Sequence, residues 1–167
     1  MTPRFVFWRC EDCDLEYINK HCYGGGKYCA LDSGHPKMSG QTIVMEDLRQ
    51  MCIYDYSYVN QNNRKIFWDY LRKVHEECDS NINEDCSKFA HKEASIPWEK
   101  TQKCVADSFT SKNWTSAETN NTLIDNDITY WQTFGSGIFP SIVINNSTFR
   151  GQLETQAVMN AICAGFA

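Results

Sequence analysis

Nine cysteines, at positions 10, 13, 22, 29, 52, 78, 86, 104 and 163, are what most limits the folds open to this chain. They are spread over the whole length, as in a domain stapled by disulfides in an oxidising compartment. Nine is odd, so one of Cys10, Cys13, Cys22, Cys29, Cys52, Cys78, Cys86, Cys104 and Cys163 is expected to be unpaired or to pair with another chain. Eight cysteines allow ~105 connectivities, and Cys78–Cys86 is a plausible local pair inside the helical insertion. Four N-x-S/T sequons point the same way: Asn113, Asn120, Asn145 and Asn146 are candidate acceptors of N-linked glycans. Cysteines and sequons together indicate the secretory pathway lumen or the extracellular space. No signal peptide precedes Phe5-Val6-Phe7-Trp8. The expectation is therefore a fragment of a longer chain.

The 167 residues are enough for one domain, and 42% are apolar, enough for a core. The net charge of −5 argues against a nucleic-acid partner. No apolar run approaches the ~18 residues of a membrane span, so none is expected within this chain.

Phe5-Val6-Phe7-Trp8 reads as a short buried strand. Residues 10–40 read as an irregular, disulfide-held stretch. Helices are predicted at 42–54, with Ile43, Val44, Leu48, Met51 and Cys52 on one side; at 64–77, with Phe67, Tyr70, Leu71 and Val74 inward; at 81–93, with Ile82, Cys86, Phe89 and Ala90 inward; and from Pro97 past Cys104. Residues 107–122 read as a polar surface loop. Ile138-Phe139-Pro140-Ser141-Ile142-Val143-Ile144 reads as a strand, Asn145-Asn146 as a turn and residues 147–151 as the returning strand. A helix at 154–164 follows, with Ala157, Val158, Ala161 and Ile162 inward.

Cys10-Glu11-Asp12-Cys13 has the spacing of a thiol–disulfide redox pair, which needs a depressed thiol pKa on the attacking cysteine. The two intervening acids oppose that, and a structural pair is the preferred reading. A zinc set of Cys10, Cys13, Cys22 and Cys29, with His21, fails on spacing. Gly24-Gly25-Gly26-Lys27-Tyr28 is not a phosphate loop, since Tyr28 stands where a Ser or Thr would hold magnesium. His21, His35, His75 and His91 read as polar surface residues, and Asp125-Asn126-Asp127 as a polar turn. Tyr56 and Tyr58 are candidate contact residues. No cofactor, metal site or catalytic residue is expected.

Lys27-Tyr28-Cys29-Ala30, the run from Ile43 to Cys52, Phe67-Trp68-Asp69-Tyr70, the run from Phe139 to Leu153 and Ala161-Ile162-Cys163-Ala164-Gly165-Phe166 together resemble the central luminal region of vacuolar sorting receptors. The resemblance implies a cargo receptor of the secretory pathway and a thioredoxin-like α/β fold with a helical, disulfide-rich insertion. The expected layout is one domain over 1–167, with the insertion at about 10–135 and a closing strand–turn–strand–helix at 136–167. It also implies a sheet incomplete on its N-terminal side, filled by an upstream segment of the same polypeptide or by a second copy of the chain, and a cis peptide bond before Pro140. The function expected is a noncatalytic recognition module that contributes to binding a cargo protein or peptide. The alternatives are a glycosylated, disulfide-linked structural subunit that self-assembles, and a thiol–disulfide oxidoreductase.

Overall fold

The computed structural model describes residues 2–31, 34–35, 38–78, 81–134 and 140–165. The element order is α1 (Leu15–His21), β1 (Cys22–Tyr23), β2 (Tyr28–Cys29), α2 (Gly40–Asp55), α3 (Arg64–Cys78), α4 (Glu84–Glu93), α5 (Trp98–Ser108), α6 (Thr122–Phe134), β3 (Val143–Ile144), β4 (Ser147–Thr148) and α7 (Thr155–Ala164). Two compact units divide the chain, Met1–Asp125 and Asn126–Ala167, the division falling inside α6.

In the first unit α2 is the central helix. Ser39 caps it by accepting from Thr42 N, and Val44, Leu48, Cys52 and Ile53 are buried along it. A π-helical turn, Tyr56–Asn60, ends it. The chain then reverses into α3, whose residues Phe67, Tyr70, Val74 and Cys78 meet Ile53, Ala90 and Ile96 in one buried cluster. A fully buried Phe or Val contributes about 1.5–3 kcal/mol each, so this cluster is a principal source of the unit's stability. Asn83 caps α4 by accepting from Cys86 N. Pro97 is the cap of α5 and Trp98 its first residue, one position later than the sequence suggests.

Four disulfides reinforce this packing: Cys10–Cys13, Cys22–Cys29 across β1 and β2, Cys52–Cys104 between α2 and α5, and Cys78–Cys86 between α3 and α4. Cys163 is unpaired and exposed.

The described residues carry two antiparallel two-stranded sheets, β1–β2 and β3–β4, in a mostly helical, disulfide-rich chain. Several expectations are corrected. Phe5-Val6-Phe7-Trp8 is not a buried strand: Trp8 alone bridges to Cys29, and it is 44% exposed while Phe7 is buried. Cys10 N donates to Gly26 O, and the chain then leaves the sheet in the Cys10–Cys13 loop, so the pairing stops. The irregular stretch 10–40 contains α1, capped by Asp14. Asp125, Asn126 and Asp127 are helical, inside α6, because Asn121 caps it by accepting from Leu123 N and Ile124 N. Phe89 faces outward, and Ser87, Ala90 and His91 take the inner face of α4.

In the second unit the strand predicted over 138–144 is Val143–Ile144, with Ile138 and Phe139 outside the described residues. Asn145 and Asn146 take φ of 47° and 64°, the paired left-handed geometry of a tight hairpin turn. Asn145 Nδ2 donates to Gly165 O at 3.0 Å, tying the turn to the end of α7. Ala157, Val158, Ala161 and Ile162 are the half-buried face of that helix, and none of its residues is fully buried.

Candidate functional site

The most concentrated chemistry lies inside the first unit. Glu46 and Arg49, one turn apart on α2, are 2% and 4% exposed. A buried carboxylate is costly unless its lone pairs are met, and here four donors meet it. Tyr70 O–H donates to Oε1 at 2.8 Å and Gln50 Nε2 to Oε1 at 3.2 Å. Ser87 Oγ donates to Oε2, and Arg49 Nη1 approaches the same oxygen at 3.5 Å. Arg49 Nη1 also donates to Ser87 Oγ at 3.2 Å, and its guanidinium lies 5.2 Å from the centre of the Trp98 ring. Burial and the Glu46 charge push the Tyr70 phenol far above its ordinary range. The network therefore holds Tyr70 as a neutral phenol with its hydrogen given to Glu46.

His91 closes this layer. Its ring stands edge-on between Tyr70 and Trp98, at 4.8 and 4.9 Å between centres. Nδ1 lies 2.7 Å from Ser87 O and so carries the hydrogen, while buried Nε2 has no hydrogen-bond partner among the described residues. Burial, reinforced by the Arg49 charge, lowers its pKa to about 4. His91 and His21 are buried, contrary to the surface reading of the histidines, because both serve polar groups in the interior: His21 Nδ1 accepts from Gly40 N at 2.9 Å.

A second constellation joins the glycine turn to the polar loop. Gly24 N donates to Trp114 O at 2.8 Å and Gly25 N to Thr115 O at 2.9 Å. Lys27 Nζ donates to Asn120 Oδ1 at 2.6 Å. Tyr28 O–H donates to Asp125 Oδ1 at 2.8 Å and accepts from Asn121 N, and burial raises its pKa to about 12. The 107–122 stretch is thus a surface loop with a buried root at Thr119 and Asn121.

The redox and metal candidates are placed as follows. Both Cys10 and Cys13 precede the Asp14 cap of α1 and are joined to each other, flanked by exposed Glu11 and Asp12. The four sulfurs weighed as a zinc set form two disulfides. Pro140 is exposed, and the Phe139–Pro140 peptide bond lies outside the described residues. Tyr56 and Tyr58 are half-buried: Tyr58 stacks on Tyr54 at 4.0 Å with Arg64 over its ring, and Lys100 lies over Tyr56. Beside them Val59 and Trp68 are 71% and 40% exposed. Asn113, Asn120, Asn145 and Asn146 are all exposed.

The family model for the vacuolar sorting receptor thioredoxin-like domain matches residues 1–163. The chain belongs to this family. Vacuolar-sorting receptor 7 of Arabidopsis thaliana is 32% identical over 183 residues, and vacuolar-sorting receptor 1 of Pisum sativum 28% over 179. Each comparison covers 99% of this chain and 27% of the receptor, so the chain spans about a quarter of the length of these curated relatives. The run from Ile43 to Cys52, part of the match, carries both Glu46 and Arg49.

Sequence reasoning missed Glu46, Arg49, Ser87 and Trp98. A signal was present: Ile43, Val44, Met45, Leu48, Met51, Cys52 and Ile53 wrap more of α2 than a one-sided stripe does, which leaves Glu46 and Arg49 no outer face.

Proposed function

We propose that this chain is a noncatalytic luminal recognition module that contributes to the binding of a cargo protein, as a domain of a sorting receptor in the secretory pathway. The family match over residues 1–163 carries this reading. The chemistry supports it: the interior acid, guanidinium, phenol and imidazole are committed to one another under cover. The test replaces the corresponding region of Arabidopsis vacuolar-sorting receptor 7 with this chain and follows a soluble vacuolar reporter protein in plant cells. Retention of the reporter at the level of the parent receptor is expected. Secretion of the reporter by a chimera that is folded and correctly located would overturn the reading, as would insulin reduction by the purified domain.

Exposed, unpaired Cys163 favours a second reading, a subunit linked between chains through that thiol. A dimer on a non-reducing gel that vanishes in Cys163→Ser supports it, and a monomer under oxidising conditions rejects it.

A further inference from the structure

The loop between α5 and α6 holds a sequon in an unusually defined setting. Phe109 and Asn121 bridge its base. At its tip Asn113 O accepts from Thr119 Oγ1 at 2.6 Å, Ser111 Oγ at 3.2 Å and Ser116 N at 3.2 Å, so its backbone is fixed. Its side-chain Oδ1 accepts from Thr115 Oγ1 at 2.9 Å, and its Nδ2 makes no hydrogen bond among the described residues. The acceptor nitrogen of an exposed asparagine is thus held ready on a rigid frame. By contrast Asn145 Nδ2 is spent on Gly165 O.

Beside it lies an open depression of about 300 Å³ lined by Ala106, Phe109, Thr110, Ser111, Lys112 and Trp114. Phe109 and Trp114 stack nearly parallel there, 4.8 Å apart at 11°. Lys112 makes no ion pair or hydrogen bond among the described residues. That volume is at the low end for small-molecule clefts and suits one ring better than a peptide. The outer part of the Trp114 ring, backed by buried Phe109 and with the Lys112 ammonium at the rim, matches a pyranose, which has an apolar C–H face and a hydroxyl edge.

We propose that Asn113 carries an N-linked glycan whose first N-acetylglucosamine folds back into this depression against the Phe109–Trp114 pair. Asn113 sits in the chain between Lys112 and Trp114, two lining residues, so the sugar is tethered at the pocket's edge, at an effective concentration in the millimolar range or higher. The tether commits the site to this occupant. The proposal rests on the luminal reading, where a lipid pyrophosphate-linked oligosaccharide and its transferase supply the sugar. Asn113 Nδ2 bonds to the sugar's anomeric carbon, the bond from that carbon to the pyrophosphate oxygen breaks, the lipid pyrophosphate leaves, and the amide proton passes to a base of the transferase.

The test secretes the whole chain from a eukaryotic host and maps occupancy by glycopeptide mass spectrometry. Endoglycosidase then trims every glycan to one sugar. The trimmed protein is expected to melt about 2–4 °C above equally trimmed Asn113→Gln, and Trp114→Ala should abolish that difference. Should Trp114→Ala fail to fold, the N-acetyl methyl resonance of the remaining sugar decides, with an upfield ring-current shift expected. Equal melting with an unshifted methyl overturns the docking alone. Glycans at other sequons with Asn113 bare overturn the site but leave the luminal reading standing. No glycan at any sequon overturns both.

Discussion

Tyr70 on α3 donates its phenolic hydrogen to Glu46 on α2 at 2.8 Å, in an interior that shields both from solvent. The bond joins two helices otherwise held by apolar contact and fixes their register, since a slide of one residue along either helix would strand a buried charge. Tyr70→Phe should cost about 1.5–3 kcal/mol, the range for a hydrogen bond to a charged partner. Glu46→Ala should cost about 3–5 kcal/mol because it leaves Arg49 buried and uncompensated. Urea unfolding gives both values. In a double-mutant cycle Tyr70→Phe with Glu46→Gln should cost less than the sum of the single changes.

His91 makes stability depend on pH. Its folded pKa is about 4, below an unfolded value near 6.5. Below the unfolded value the unfolded chain binds a proton that the folded chain refuses, so stability present above pH 6.5 drains away as pH falls towards 4. The full loss is at most about 3 kcal/mol. The urea midpoint should therefore decline between pH 6.5 and 5, a window above most carboxylate titration. His91→Phe should flatten it there, and an unchanged slope would reject the assignment.

The disulfides should rank by the loop they close. Cys52–Cys104 spans 52 residues and Cys78–Cys86 spans 8. Loop-closure entropy assigns about 4 kcal/mol to the first and about 2.5 to the second. Cys52→Ala with Cys104→Ala should accordingly lower the melting temperature more than Cys78→Ala with Cys86→Ala, by scanning calorimetry.

Gly25 should not tolerate a side chain. Its φ is +63°, and a Cβ there would stand 2.6 Å from Ala117 Cα. Overpacking of this kind costs about 1–3 kcal/mol, added to the left-handed backbone penalty. Gly34, also at positive φ but with nothing among the described residues within 4 Å of a Cβ, is the control. Hydrogen exchange at the Gly24 amide should accelerate in Gly25→Ala and stay unchanged in Gly34→Ala.

The helices were the legible part of this fold. Three- and four-residue spacing located α2, α3 and α4 because each presents apolar residues to one cluster. The helix α6 was missed because Asp125, Asn126 and Asp127 put polar groups where a turn is expected, and its cap, Asn121, looked like part of a sequon rather than a helix start. The strand reading of residues 5–8 overweighted a continuous apolar run: one bridge sufficed, and Trp8 stayed half outside. The second constellation was beyond reach for another reason. Lys27 and Asn120 are 93 residues apart, and nothing local in either segment announces the other. The four disulfide partners were equally nonlocal in the Cys52–Cys104 case, whereas Cys78 and Cys86 close a short connection.

The glycine turn grips the polar loop through main-chain atoms alone, Gly24 and Gly25 amides to the carbonyls of Trp114 and Thr115. Such a clasp is blind to side chains. Positions 114 and 115 are consequently unconstrained by the clasp itself, and the identity they need comes from their side chains, Trp114 against Phe109 and Tyr23 and Thr115 on Asn113. Evolution, or a protein engineer grafting a segment of equal length, can rewrite the display while the mount stays put.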